Sequence, residues 1–118
     1  MTHTLARIAI AALLIGTHHA AEAAGAIAKG DGTRTGYAHS HANTAAASAR
    51  ALQECGPGCK VLVTFDTGCA ALSMDKNSTA HGAARGANRA AAENYALGFC
   101  RKFGGTNCYI RTWTCTNR

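Results

Sequence analysis

Large apolar side chains are scarce in this 118-residue chain: one Trp, three Tyr and three Phe stand among much Ala and 13 Gly. A domain of such size buries only roughly 60–65% of its unfolded surface, so a core this light needs covalent help. Acid is scarce as well, with six Asp/Glu against 12 Lys/Arg. Only Asp31, Glu54, Asp66, Asp75 and Glu93 lie beyond residue 23, which leaves a paired-carboxylate hydrolase without support. There is no second hydrophobic run. The one present, "IAIAALLIG" at residues 8–16, is shorter than the roughly 20 apolar residues of a spanning helix. Nor does any serine sit in a nucleophile elbow or another local catalytic signature.

What is there begins with a leader. "MTHTLAR" carries one positive charge ahead of the apolar run, and Ala21-Glu22-Ala23 is an A-x-A-like cleavage signal. Residues 1–23 therefore read as a secretory signal peptide. The expected mature part, 24–118, is one exported domain, secreted or periplasmic, of bacterial type, with no integral membrane span after cleavage. All six cysteines (Cys55, Cys59, Cys69, Cys100, Cys108, Cys115) fall in that part. An even count in a small exported domain implies a disulfide framework. Cys55 and Cys59 have three residues between them and Cys55 closes a helix, whereas a redox C-x-x-C opens one, where the dipole lowers the thiol pKa. They read as a staple.

The chain repeats itself. Shifted by 45 residues, "AHSHANTAAASARALQEC" (38–55) lies on "AARGANRAAAENYALGFC" (83–100) with nine of 18 positions identical, including Asn43 over Asn88, Leu52 over Leu97 and Cys55 over Cys100. Asn43 and Asn88 are suited to cap helices, and the Ala-rich stretches after them favour helix. In the first helix Ala45, Ser48, Ala49, Leu52 and Cys55 form the expected apolar stripe. "KVLVTF" and "YIRTWT" read as strands, and "AGAIAKG", "TGYAHSH", "CAALSMD" and "TAHGAARG" as further ones. The predicted fold is α+β: two β-β-α-β repeats, about 36–69 and 81–115, forming one mixed sheet with two packed helices, disulfide-stabilised. Six cysteines admit 15 pairings, and the repeat favours Cys55–Cys59, Cys100–Cys108 and Cys69–Cys115.

The opening "AIA", the paired A-L-x-x-C helix ends, "GPGCKVLVTF", "GCAAL" and the closing W-x-C together resemble a small exported bacterial domain, domain-of-unknown-function family 4189. The resemblance covers nearly all of the mature part. It implies export and this architecture, and it supplies no catalytic residues.

Charge is uneven. From Asp75 onward seven Lys/Arg face two acids, a net of +5, while residues 24–74 carry four against three. A basic half attracts nucleic acid, anionic headgroups or an acidic protein. Arg85, Arg89, Arg101, Lys102 and Arg111 are the candidate anion- or partner-binding residues. Tyr95, Phe99, Phe103, Tyr109 and Trp113 lie near them, but Phe99 and Phe103 share one helix face and read as core. Nucleic acid is therefore not the expected partner. His39 and His41 share a strand face and His81 opens the corresponding second segment, the minor candidates for a metal site. The gapless alignment sets Ala84 and Gly86 opposite the pair, which places them outside the shared scaffold. No catalytic residue, metal or cofactor is assigned. The reading is a non-catalytic binding module facing an anionic envelope component, a host surface or a protein partner; the alternative is a small exported enzyme or toxin with a histidine-based site. "NST" at Asn77 is a chance sequon in a loop.

Overall fold

The computed structural model describes residues 22–117. The signal-peptide reading falls on residues outside that range, apart from Glu22 and Ala23. Eight elements follow in order: β1 (Ala24–Lys29), β2 (Thr35–His41), α1 (Thr44–Cys55), β3 (Lys60–Phe65), β4 (Cys69–Asp75), β5 (His81–Gly86), α2 (Arg89–Lys102) and β6 (Cys108–Cys115). Both helices begin as expected. The Asn43 side chain accepts from the Ala46 amide at 2.8 Å and Asn88 from Ala91 at 2.9 Å, each satisfying an orphan donor of the first turn.

The class is α+β and disulfide-stabilised, but the sheet is not single or mixed. There are two three-stranded antiparallel sheets, ordered β2-β1-β3 and β5-β4-β6. The reason lies in the central strands. β4 is buried along its whole length and β1 along all but its last residue, so each needs cover on both faces. A helix covers one face and the other sheet covers the second. Ala26, Ala28 and Ala38 pack on Ala47 and Ala51 of α1, and Ala71 and Ala84 pack on Ala92 and Ala96 of α2. Ile27, Phe65, Ala70 and Leu72 form the layer between the sheets. The result is a helix–sheet–sheet–helix stack.

The units are related by pseudo-two-fold symmetry: β1 packs across β4, β2 across β6, and β3 across β5. The correspondence extends to irregularities. The β1–β3 ladder slips between Ile27 and Ala28, and the β4–β6 ladder slips 45 residues later, between Leu72 and Ser73. The folded units thus run from β1 to β3 and from β4 to β6. Cys69, expected to close the first repeat, instead opens the second. Its bridge to Cys115 joins ladder partners within one sheet. The other bridges are Cys55–Cys59 and Cys100–Cys108, the predicted pairing.

Close helix packing rests on two glycines. A Cβ at Gly36 would lie 2.2 Å from the Ala51 carbonyl oxygen, and one at Gly82 would lie 2.3 Å from that of Ala96. Only the smallest helix residues fit beneath such an approach. The buried faces are accordingly Ala47, Ala51 and Cys55 in α1, and Ala92, Ala96 and Cys100 in α2. Of the predicted stripe, Ala45 and Ala49 are exposed, Ser48 and Leu52 are half-buried and Cys55 is buried.

Candidate functional site

All six cysteines are bridged, so none is available for thiol chemistry. The histidines divide between the units. His39 and His41 line a shallow polar depression with Tyr37, Arg50 and Glu54, whereas His81 lies at the start of β5, its Nδ1 3.0 Å from the Thr79 carbonyl oxygen. Among the described residues, no group of three His, Cys, Asp or Glu side chains is placed to hold a metal ion. The β2 segment also departs from the gapless alignment. Ala26 pairs with Ala38 and Ala71 with Ala84, yet Ala24 pairs with His41 and Cys69 with Gly86. The extra residue is taken up at Ser40, whose φ is 59° and whose hydroxyl donates to the Thr116 carbonyl. His39 therefore corresponds to Arg85, not Ala84.

The five basic candidates do not form one patch. Arg89 pairs with Glu93 at 2.9 Å and its guanidinium sits 3.8 Å from the centre of the Trp113 ring. Arg111 is the bulged residue of β6 and donates twice to the Thr33 carbonyl, at 3.2 and 3.0 Å, clasping one unit to the other. Arg101 is exposed in the last turn of α2. Arg85 and Lys102 come to a common place.

That place is an open groove of about 630 Å³ along the β5 edge. Ala83 and Ala84, which face opposite sides of the strand, line it together with Tyr95, Gly98 and Phe99 of α2 and Val63 of β3. Arg85 crosses the edge, Nη1 donating to the Thr64 carbonyl at 3.4 Å. A second depression shares Ala83 and Phe99 and continues past His81 to Leu62 and Phe103. Phe99 and Phe103, expected in the core, are on the surface, 41% and 65% exposed, and Tyr95 is 58% exposed. The rings of Phe99 and Phe103 stack at 6.4 Å.

The first unit provides an internal control. Ile27 pairs with Tyr37 where Leu72 pairs with Ala83, so tyrosine occupies the position that alanine leaves open. Along the helices, which match at an offset of 45, Tyr95 corresponds to Arg50 and Phe99 to Glu54. Arg50 and Glu54 are an exposed ion pair at 2.9 Å. The scaffold therefore does not require aromatics at those positions. The sequence carried this signal: charged residues in one copy mark the matching positions of the other as facing solvent.

Asp75 is a structural carboxylate. Its oxygens accept from the Asn107 amide, the Ser78 hydroxyl at 2.8 Å and the Asn77 amide at 3.0 Å, tying the β4–β5 turn to the entry of β6. The Asn107 amide is the main cause holding its pKa below the ordinary carboxylate range, with the Ser78 hydroxyl next; burial opposes them.

A family model described as "Domain of unknown function (DUF4189)" matches residues 24–115. Neither a curated protein nor a solved structure matches the chain.

Proposed function

The chain belongs to that family of unknown function, and we propose that it is an exported, non-catalytic binding module whose ligand surface is the groove along β5. One observation carries the reading. On a duplicated scaffold, the matching place of the first unit is a polar depression of about 220 Å³ beside Tyr37 and the Arg50–Glu54 ion pair, while the second unit, with Ala83, Tyr95 and Phe99 at those positions, has an apolar groove of about 630 Å³. The volume suits a small ligand, and exposed aromatics over an apolar floor are the usual composition of such a site. Three bridges suit an oxidising compartment, which supports export. The histidine-based alternative draws no support from His39 and His41, which sit with an ion pair in a different unit from His81.

The neutral apolar dye N-phenyl-1-naphthylamine tests the reading on the oxidised protein. Saturable fluorescence enhancement is expected, and Ala83→Tyr should abolish it by installing the side chain that the other unit already accommodates. An unresponsive wild type, or an Ala83→Tyr variant that folds and binds dye equally, would remove the groove as the binding surface.

A further inference from the structure

We infer that the ligand is a monomeric anionic amphiphile, with its acid group on Arg85 and its apolar body along β5 toward Leu62 and Phe103; this rests on the groove reading. Charge gives the sign. Two cations, Arg85 and Lys102, line the groove, and no carboxylate does. Neither cation belongs to an ion pair among the described residues, where the pairs are Arg50–Glu54 and Arg89–Glu93.

Their roles differ. Arg85 is anchored across the edge by the Thr64 carbonyl through one of its five N–H donors. That contact leaves the other donors of the planar fork available for two-point contact with a carboxylate or sulfate. Lys102 closes α2, where its charge offsets the negative end of the helix dipole. An acid bound beside that end meets opposition that one beside Arg85 does not.

Direction follows from topology. Gly86 approaches Ala91 and Ala92, whereas Gly82 approaches Ala96 and Cys100, so β5 runs antiparallel to α2. Leaving Arg85, the groove passes Ala83 and Phe99 and reaches Leu62 and Phe103 at the other end. The four residue steps from 85 to 81 span about 13 Å, room for an extended chain. Leu62 reaches this end because it is the residue skipped by the β1–β3 bulge. Ala84 is buried while Tyr95 and Phe99 stand exposed beside it, a relief along the strand edge that suits one extended molecule better than a bilayer surface.

The test is calorimetric titration of the oxidised protein with decanoate kept below its micellar concentration, alongside decyltrimethylammonium and anionic phosphatidylglycerol vesicles. Decanoate is expected to bind at least tenfold more tightly than the cationic amphiphile. Arg85→Gln should weaken it roughly tenfold, with Lys102→Gln having the smaller effect. Affinity should rise about twofold to fourfold for each methylene from octanoate to decanoate. Equal affinity for the two head groups, or an Arg85→Gln variant that binds decanoate normally, overturns the inference while wild-type dye binding keeps the groove. Capture by vesicles without competition from decanoate overturns it in favour of a membrane surface. Loss of dye binding as well removes the groove reading itself.

Discussion

A single methyl group at Gly82 tests the packing that shapes the groove. The added Cβ would lie 2.3 Å from the Ala96 carbonyl oxygen, 2.6 Å from the Cys100 amide nitrogen and 2.7 Å from the Phe99 Cβ. Two of these atoms are helix backbone, so no rotamer change relieves the clash, and α2 must move outward by about 1 Å to reach ordinary contact. Overpacking of this kind costs about 1–3 kcal/mol. The shift also threatens the Ser73 hydroxyl, which donates to the Ala96 carbonyl at 2.6 Å from a fully buried position, a further loss of about 1 kcal/mol. Against this, replacing glycine restricts the unfolded chain and returns about 0.4–1 kcal/mol. The net expectation for Gly82→Ala is a destabilisation of about 2 kcal/mol, or roughly 8–16 °C in Tm for a domain of this size. Guanidinium unfolding with the disulfides intact gives the measurement. Gly98→Ala is the control, because a Cβ there meets nothing within 4 Å and helix propensity alone should stabilise by about 1 kcal/mol. The reasoning fails if Gly82→Ala unfolds within about 0.5 kcal/mol of the wild type, or if Gly98→Ala is as damaging.

Removing the Cys69–Cys115 bridge by double substitution to alanine should cost about 4 kcal/mol in the chain-entropy model, since the residues are 46 apart, whereas the Cys55–Cys59 bridge, closing a separation of 4, should contribute about half as much. Parallel denaturant melts decide it, and equal losses would contradict the entropic account. Acid should act through Asp75. A carboxylate whose pKa is depressed by folding contributes stability that is present above its unfolded pKa and lost as pH falls through the folded one. Stability should therefore decline on acidification below about pH 4, and Asp75→Asn should flatten that limb while lowering stability at neutral pH; an unaltered acid limb in the variant would count against it.

Much of the scaffold was legible in the sequence because it was written twice. The offset of Asn43 to Asn88 and Cys55 to Cys100 fixed two helices, their caps and the two short bridges, and the remaining cysteines then had only each other. Three features escaped for physical reasons. The bulge at Ser40 inserts one residue, and a gapless alignment cannot represent it, so His39 was matched one position out. The division into two sheets depends on covering Ile27, Phe65 and Leu72, a tertiary demand that strand composition does not reveal. The aromatics of α2 reversed the usual inference from periodicity. Spacing identified a face shared by Phe99 and Phe103, but the sheet glycines bring the helix so close that only Ala92, Ala96 and Cys100 fit beneath it. Size, more than hydrophobicity, decided which face went inside. The groove was legible only in the comparison of Arg50 and Glu54 with Tyr95 and Phe99, and its residues were instead sought in net charge.

The pseudo-two-fold axis has a consequence for how specificity can change. Had these units been two identical chains paired by the same axis, every substitution would appear twice, and opening one groove would open both. Joining them in one polypeptide lifts that constraint. Tyr37, Arg50 and Glu54 can stay polar on one side while Ala83, Tyr95 and Phe99 open a larger apolar groove on the other, so half of the molecule can change its ligand while the half facing it preserves the frame.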